Sequence, residues 1–290
     1  MYNIQKVTIF YFTGTGNAKQ IALWFSEFAV NNSIDCKIFD IAKCDINNIT
    51  AFIDNSLILI ISPIHGFNFP KITLNFIRHF PKGNNCVVLM NTRAGMKIGK
   101  FITPGLTGIA FILSSFLLKC KGYKIVGQIP FDMPSNWLSI HPSLNENTVK
   151  YLHKINYNRV KKHSDKIFSG QRDFIAYRDL IQDILISPLA LAYYWVGRLA
   201  LAKSFYASSD CNSCGLCIKQ CPVQAIKNVD TRPFWTFKCE SCMHCMNICP
   251  KRAIETAHGL IVIVSILSSV SLTIILQNVL QFEIKSSFIR

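Results

Sequence analysis

Residues 4–30 read "IQKVTIFYFTGTGNAKQIALWFSEFAV". An alternating and then continuously apolar run meets a glycine turn, and apolar positions then recur at helical spacing. A buried strand therefore passes through "TGTGN" directly into a helix. Four further short, β-branched runs follow: "IDCKIFDI" at 34–41, "SLILIIS" at 56–62, "NCVVLMN" at 85–91 and "YKIVGQIPF" at 123–131. Helix-length segments separate them. Five strands alternating with helices predict an α/β fold, a doubly wound five-stranded parallel sheet covered on both faces. Between the last two strands, "PGLTGIAFILSSFLLK" reads as a helix begun by Pro104, and 145–170 as the last covering helix.

The chain has 290 residues, half of them apolar, which suffices for a core without disulfide staples. Twelve cysteines would suggest crosslinks in a short secreted chain. The start "MYNIQKVTIFYFTG" has no basic segment, apolar run and cleavage site, so the expected compartment is the reducing cytoplasm.

Eight of the cysteines fall in two arrays, "CNSCGLCIKQCPVQAI" at 211–226 and "CESCMHCMNICPKRAI" at 239–254. Each is C-x-x-C-x-x-C-x-x-x-C-P. Three thiols at this spacing wrap one cubane iron-sulfur cluster, and the fourth ligates the neighbouring one. The spacing predicts a small α+β domain over 210–257 with two [4Fe-4S] clusters. One is held by Cys211, Cys214, Cys217 and Cys249, the other by Cys239, Cys242, Cys245 and Cys221. Pro222 and Pro250 turn the chain outward. Zinc is the rival, but it needs four thiols per site and has no use for the triplets or the duplicated coda. Cys36, Cys44, Cys86 and Cys120 show no spacing logic and read as buried apolar fillers.

The glycine turn lacks both dinucleotide and P-loop signatures, since Lys19 stands at the third glycine position and no G-K-[ST] follows. What remains is Thr13, Gly14, Thr15, Gly16 and Asn17 at a helix N-terminus. Such a turn suits a phosphate monoester, with a plain βα turn as the alternative. "SPIHGFNFP" at 62–70 and "NTRAG" at 91–95 follow strands three and four, where ligands of open parallel sheets bind. Singly, His65 reads as a polar loop residue and Phe67 as a core plug. Together the three segments make a site.

The duplicated "CPVQAI" and "CPKRAI" resemble the internal repeat of bacterial ferredoxins, and residues 1–170 resemble a flavodoxin. The whole chain resembles the fused flavodoxin and two-cluster ferredoxin proteins of anaerobic bacteria and archaea, down to "DMPSNW" at 132–137. The resemblance implies FMN as a second cofactor, its phosphate on Thr13, Gly14, Thr15, Gly16 and Asn17. It brings Pro63, Ile64, His65, Gly66 and Phe67, and Asn91, Thr92, Arg93, Ala94 and Gly95, to the isoalloxazine. Ala18 departs from the family by removing a hydroxyl contact to phosphate, and His65 and Phe67 stand where Tyr and Trp are common. The implied function is electron transfer between FMN, two [4Fe-4S] clusters and a redox protein partner, with no catalytic residue assigned. The alternative is an FMN-dependent oxidoreductase acting on a small acceptor, for which the loops offer only His65, Arg93 and His141. An iron-sulfur membrane subunit without FMN is a third reading.

The net charge of +15 is partly local. Thiolate-bound clusters and a flavin phosphate would offset about six charges. The rest is spread over 1–209 with no basic, aromatic-interleaved face, so nucleic acid is not an expected partner. Residues 171–209 form a helical connector that bridges the domains or lies against something apolar. The tail, 258–290, has no charge between His258 and Glu283. Residues 260–280 are long enough to cross a hydrocarbon core at about 1.5 Å per residue. Arg232, Lys238, Lys251 and Arg252 would then keep the cluster domain on the inner, cytoplasmic face. A partly buried core helix is the alternative.

Overall fold

The computed structural model describes residues 4–53, 56–98, 101–135, 137, 144–257 and nine positions between 260 and 274. The first module runs β1 (Lys6–Tyr11), α1 (Asn17–Asn31), β2 (Asp35–Asp40), α2 (Ile49–Ile53), β3 (Leu57–Pro63) and α3 (Lys71–His79). It continues with β4 (Cys86–Ile98), β5 (Phe101–Thr103), α4 (Ala110–Lys119), β6 (Lys124–Pro134) and α5 (Glu146–Phe168). Five strands pair in parallel in the order β2-β1-β3-β4-β6, the flavodoxin-like doubly wound order. β5 folds back antiparallel on the end of β4.

The pleat of β1 explains both layers. Val7, Ile9 and Tyr11 pack with α1 and α5 on one face, while Phe10 and Phe12 pack with α2, α3 and α4 on the other. Every residue of β3 is buried, which is why its sequence is continuously apolar. Asn145 caps α5 by accepting from Thr148 N at 2.8 Å, so this helix begins where the polar sequence turns helical.

Two boundaries differ from expectation. β4 continues past Asn91 to Ile98, so "NTRAG" is strand and not loop. β6 is also longer, and Asn91 to Gly95 stay in register with Pro130 to Pro134. Arg93 locks this extension, its Nε 2.7 Å from Asp132 and its Nη1 2.6 Å from Asp179. α4 begins at Ala110 and not at Pro104. The intervening backbone is spent elsewhere: Gly105 N donates to Asp132 and Gly108 N, at φ +64°, to Asp183.

After α5 the chain still belongs to the sheet, because Asp173 N donates to Val126 O and Asp173 O accepts from Gln128 N. The Asp173 carboxylate is buried between His163 and Lys166, 2.6 and 3.1 Å away. Then Ile175–Ala202 forms one apolar helical rod of 28 residues. It comprises a 3-10 turn, α6 (Leu180–Ala192), a π turn (Tyr193–Gly197) and α7 (Arg198–Ala202).

The second module is small. β7 (Phe205–Ala207) receives β10 (Ile254–Thr256) antiparallel, β8 (Ile226–Val229) and β9 (Arg232–Trp235) form a hairpin, and α8 (Leu216–Lys219) and α9 (His244–Ile248) each carry the last cysteine of a triplet, Cys217 and Cys245. Phe205, Ile226, Trp235, Met243 and Ile254 make its core. The nine described tail positions are helical and exposed.

Candidate functional site

The eight array cysteines gather into two cavities. Cys211, Cys214, Cys217 and Cys249 line one, and Cys221, Cys239, Cys242 and Cys245 line the other. Each fourth cysteine thus lines the cavity of its neighbour's triplet. The 28-residue repeat is also conformational: Ser213 and Ser241, Gly215 and Met243, and Gln224 and Arg252 are all left-handed pairs. Ala225 N donates to Cys221 Sγ at 3.2 Å and Ala253 N to Cys249 Sγ at 3.4 Å. Among the described residues no three His, Cys, Asp or Glu side chains converge to hold a single metal ion. The thiols stand around cavity walls instead.

The second cavity is the drier one. Burial pushes the Cys239 thiol up to about 12 and Cys245 up to about 11, and raises Cys242, with neighbouring thiols adding to each shift. Burial also raises Cys217, helped by Cys211 and Cys214, while Cys214 itself is exposed. Iron binding must displace these protons, so loading releases acid. Of the remaining cysteines, Cys36, Cys44 and Cys86 pack partly against the core, but Cys120 at the end of α4 is exposed and is no filler.

A cleft of about 620 Å³, part of it open to solvent, lies at the carboxyl ends of β3 and β6 and beside Thr92–Ala94 in the middle of β4. Of the residues expected at a cofactor, Asn17, Pro63, Ile64, His65, Gly66, Thr92, Arg93 and Ala94 line it. Thr13, Gly14, Thr15 and Gly16 form the turn into α1. Gly16 N bonds Thr13 Oγ1 at 3.0 Å, and α1 has neither a side-chain cap nor an acidic residue in its first turn. Its leading amides and positive dipole end suit an anion. The Asn17 side chain ties this turn to Pro134 O at 2.8 Å, and Ala18 is buried in the core. Thr13, Gly14, Thr15 and Gly16, and also Phe67, Asn91 and Gly95, do not line the cleft. Phe67 O accepts from Ile109 N, Asn91 bonds Thr107 at 3.2 Å, and Gly95 packs on Asp132.

Two polar atoms of the cleft residues, His65 Nδ1 and Ser241 Oγ, are buried without a partner. Unpaired buried polar groups of this kind suit a flat ring with polar edges. Burial lowers His65 to about 4, against a backbone hydrogen bond to Glu240, so it is neutral near pH 7. Burial alone would lower Arg93, but Asp132 and Asp179 outweigh it and hold the guanidinium above its usual value. Neither is a ready acid or base, and His141 lies outside the described residues.

The far wall of the cleft comes from outside the first module: Tyr193 of the rod and Ser241, Cys242 and Met243 of the second cysteine loop. Four contacts fix it there. A Cβ on Gly66 would fall in the Tyr193 ring, and one on Gly14 would strike the Cys242 carbonyl. His244 Nδ1 donates to Gly14 O at 2.6 Å. Glu240 Oε2 accepts from Lys71 N at 2.9 Å, capping α3, which has no side-chain cap of its own. Cys242 and Met243 line both the cleft and the second cysteine cavity. The sequence reading missed this wall. Its one visible trace is Met243, which occupies a left-handed position (φ 60°) where the first repeat has Gly215.

Residues 210–254 match the model of the 4Fe-4S dicluster domain. A search of the curated proteins found no match. Among solved structures, the chain is similar to rubredoxin oxygen:oxidoreductase of the anaerobe Desulfovibrio gigas, with 13% identity and a TM-score of 0.37. That match covers 56% of this chain and 36% of that one, little more than a third of the relative's length. It is also similar to two-electron reduced Megasphaera elsdenii flavodoxin, with 17% identity, a TM-score of 0.35, and 52% of this chain and 98% of that one covered. A short-chain flavodoxin associated with a non-canonical PDU microcompartment gives 14%, 0.35, 56% and 99%. The strand order, not these scores, decides the fold. The chain joins a flavodoxin-like α/β module to a 4Fe-4S dicluster domain.

Proposed function

We propose that the protein is an electron carrier holding FMN and two [4Fe-4S] clusters, of the kind in which a flavodoxin and a two-cluster ferredoxin are fused. The observation that carries this reading is the wall made by Cys242 and Met243, common to the cleft and to one cysteine cavity. Thr13 to Asn17 and the first turn of α1 would hold the FMN phosphate. Pro63 to Gly66 and Thr92 to Ala94 would flank its ring, with His65 and Ser241 offering polar atoms to its edge. Cys221, Cys239, Cys242 and Cys245 would hold the cluster beside the cleft; Cys211, Cys214, Cys217 and Cys249 would hold the outer one. When bound, a flavin exchanges one or two electrons and a cluster one, so the pair links two-electron to single-electron traffic.

The chain's own residues serve that task. The buried second cysteine loop excludes water from the junction, and exposed Cys214 puts the other cavity at the surface, where a redox partner docks. Among the described residues of the cleft, His65 is neutral and Arg93 is ion-paired, so neither is a ready acid or base, which favours carriage over chemistry on a bound acceptor. Iron, acid-labile sulfide and released flavin, measured on anaerobically purified full-length chain, test the reading. About eight iron, eight sulfide and one FMN per chain are expected. Zinc in place of iron, or clusters without flavin, would overturn it.

A further inference from the structure

The rod Ile175–Ala202 is long and apolar enough to cross a membrane, yet its inner side is fastened to the protein. Asp179 grips Arg93, Asp183 accepts from Gly108 N at 2.8 Å, Tyr193 sits on Gly66, and Arg198 donates to Phe237 O at 3.2 Å. A rod held along its length has no free stretch to insert across a bilayer. Its outer side is apolar: Ile181, Ile184, Leu185, Leu191 and Trp195 recur at helical spacing, with Ile181 at 78%, Leu185 at 76% and Trp195 at 69% exposure. No acidic residue occurs between Asp183 and Asp210, and Arg178 and Lys203 stand exposed near its ends.

A second observation lies next to this face. β10 pairs with β7, and Ala257 N donates to Ser204 O at 3.0 Å, so the tail leaves the cluster domain at the foot of the rod. Exposed Lys251 and Arg252 precede it, and its described residues Leu260, Ile263, Val264, Leu267 and Val270 are exposed. Two exposed apolar helices thus spring from one corner, with Lys203, Lys251 and Arg252 outnumbering the one exposed carboxylate there, Glu255, which accepts from the Tyr206 hydroxyl.

We propose that this corner docks on an anionic lipid bilayer, with the rod lying in the interfacial plane on its Ile181–Trp195 side and the tail entering the lipid beside it. Interfacial helices of this kind bind through buried apolar area and attraction to anionic headgroups. A spanning rod would lose the four fastenings; an interfacial one keeps them. The proposal is independent of whether the cleft holds flavin.

Full-length chain is mixed with vesicles of phosphatidylglycerol and phosphatidylcholine, or phosphatidylcholine alone, and floated. Trp195 quenching by lipids brominated at shallow or deep positions is read as the difference from Trp195→Phe. Flotation with the anionic vesicles, shallow quenching of Trp195, and roughly tenfold or more weaker partitioning of Ile181→Asp/Leu185→Asp are expected. Iron content of the variant checks its folding. Flotation with Trp195 unquenched would assign binding to the tail alone and overturn the role of the rod. A soluble dimer dispersed by the same two substitutions would make the face a contact between copies and overturn the lipid assignment.

Discussion

Gly66→Ala probes the seat of Tyr193, and its effect follows from two separable costs. Gly66 has φ +55°, where an L side chain costs about 1–2 kcal/mol. The new methyl group would also enter the Tyr193 ring, an overpacking cost of about 1–3 kcal/mol. In a Tyr193→Ala background only the backbone cost remains. A double-mutant cycle should therefore return a coupling of about 1–3 kcal/mol, the range of residues in direct contact. Native-state hydrogen exchange reads it locally, because Asn68 N bonds His65 O and Ile109 N bonds Phe67 O on either side of the glycine. Gly66→Ala should speed exchange of these amides about five- to 150-fold more in the native background than in the Tyr193→Ala one. Equal factors in both backgrounds would refute the reasoning, since the rod would then have no hold on the loop.

Cys221→Ser should halve the iron, from about eight to about four per chain, and empty the cavity beside the cleft, although Cys221 belongs to the first array; iron analysis with electron paramagnetic resonance identifies the cluster lost. Asp132→Ala takes one of two carboxylate partners from Arg93, which keeps Asp179, and removes the carboxylate near Arg159 and the acceptor for Gly105 N, so a stability loss of about 1–3 kcal/mol is expected in urea unfolding of the α/β module. For Asp173, burial would raise the carboxyl, but His163 and Lys166 outweigh it and hold it below its usual range. A depressed carboxylate adds stability above its unfolded pKa of about 3.9 and loses it as pH falls through the folded value. Acid unfolding of Asp173→Asn should therefore lack that part of the fall below about pH 4, starting from a lower stability near neutrality. Met243→Gly should relieve about 1 kcal/mol of left-handed strain, while thinning the cleft wall and weakening FMN binding in a fluorescence titration.

The sheet was legible because each strand is short, β-branched and bounded by helix periodicity, and the gathering of eight cysteines into two fours because their spacing repeats along the chain. Where legibility failed, tertiary partners overrode local signals. "NTRAG" looked like a loop by composition, yet Arg93 and its two aspartates hold it as strand. Pro104 looked like a helix start, yet Gly105 and Gly108 give their amides to Asp132 and Asp183, residues distant in sequence. The cleft was legible only on its sheet side. Tyr193 lies in an apolar helix that fits several environments equally, and no local pattern says which ring turns inward. Met243 could have been found by aligning the two arrays and asking why a side chain stands where the repeat has glycine.

That substitution also says how the two modules depend on each other. A free-standing α/β module would leave the first amides of α3 bare, because Pro70 supplies backbone geometry but no side-chain acceptor. Glu240 provides it from the cluster domain, accepting from Lys71 N and Ile72 N while burial pushes its carboxyl above the usual value. The same loop carries Cys239, Cys242 and Cys245, so the geometry that would let these thiols hold iron is the geometry that caps α3 and closes the cleft. Disordering the loop by losing iron would open the cleft wall and uncap the helix together. Under the proposed reading, cluster loading and flavin affinity are therefore coupled, and by thermodynamic reciprocity flavin must stabilise the inner cluster by the same factor. Among the described residues the outer cavity shares no wall with the cleft. Under the same reading its cluster should be lost and regained without changing flavin affinity, and a redox partner docked there would bind and leave without disturbing the junction.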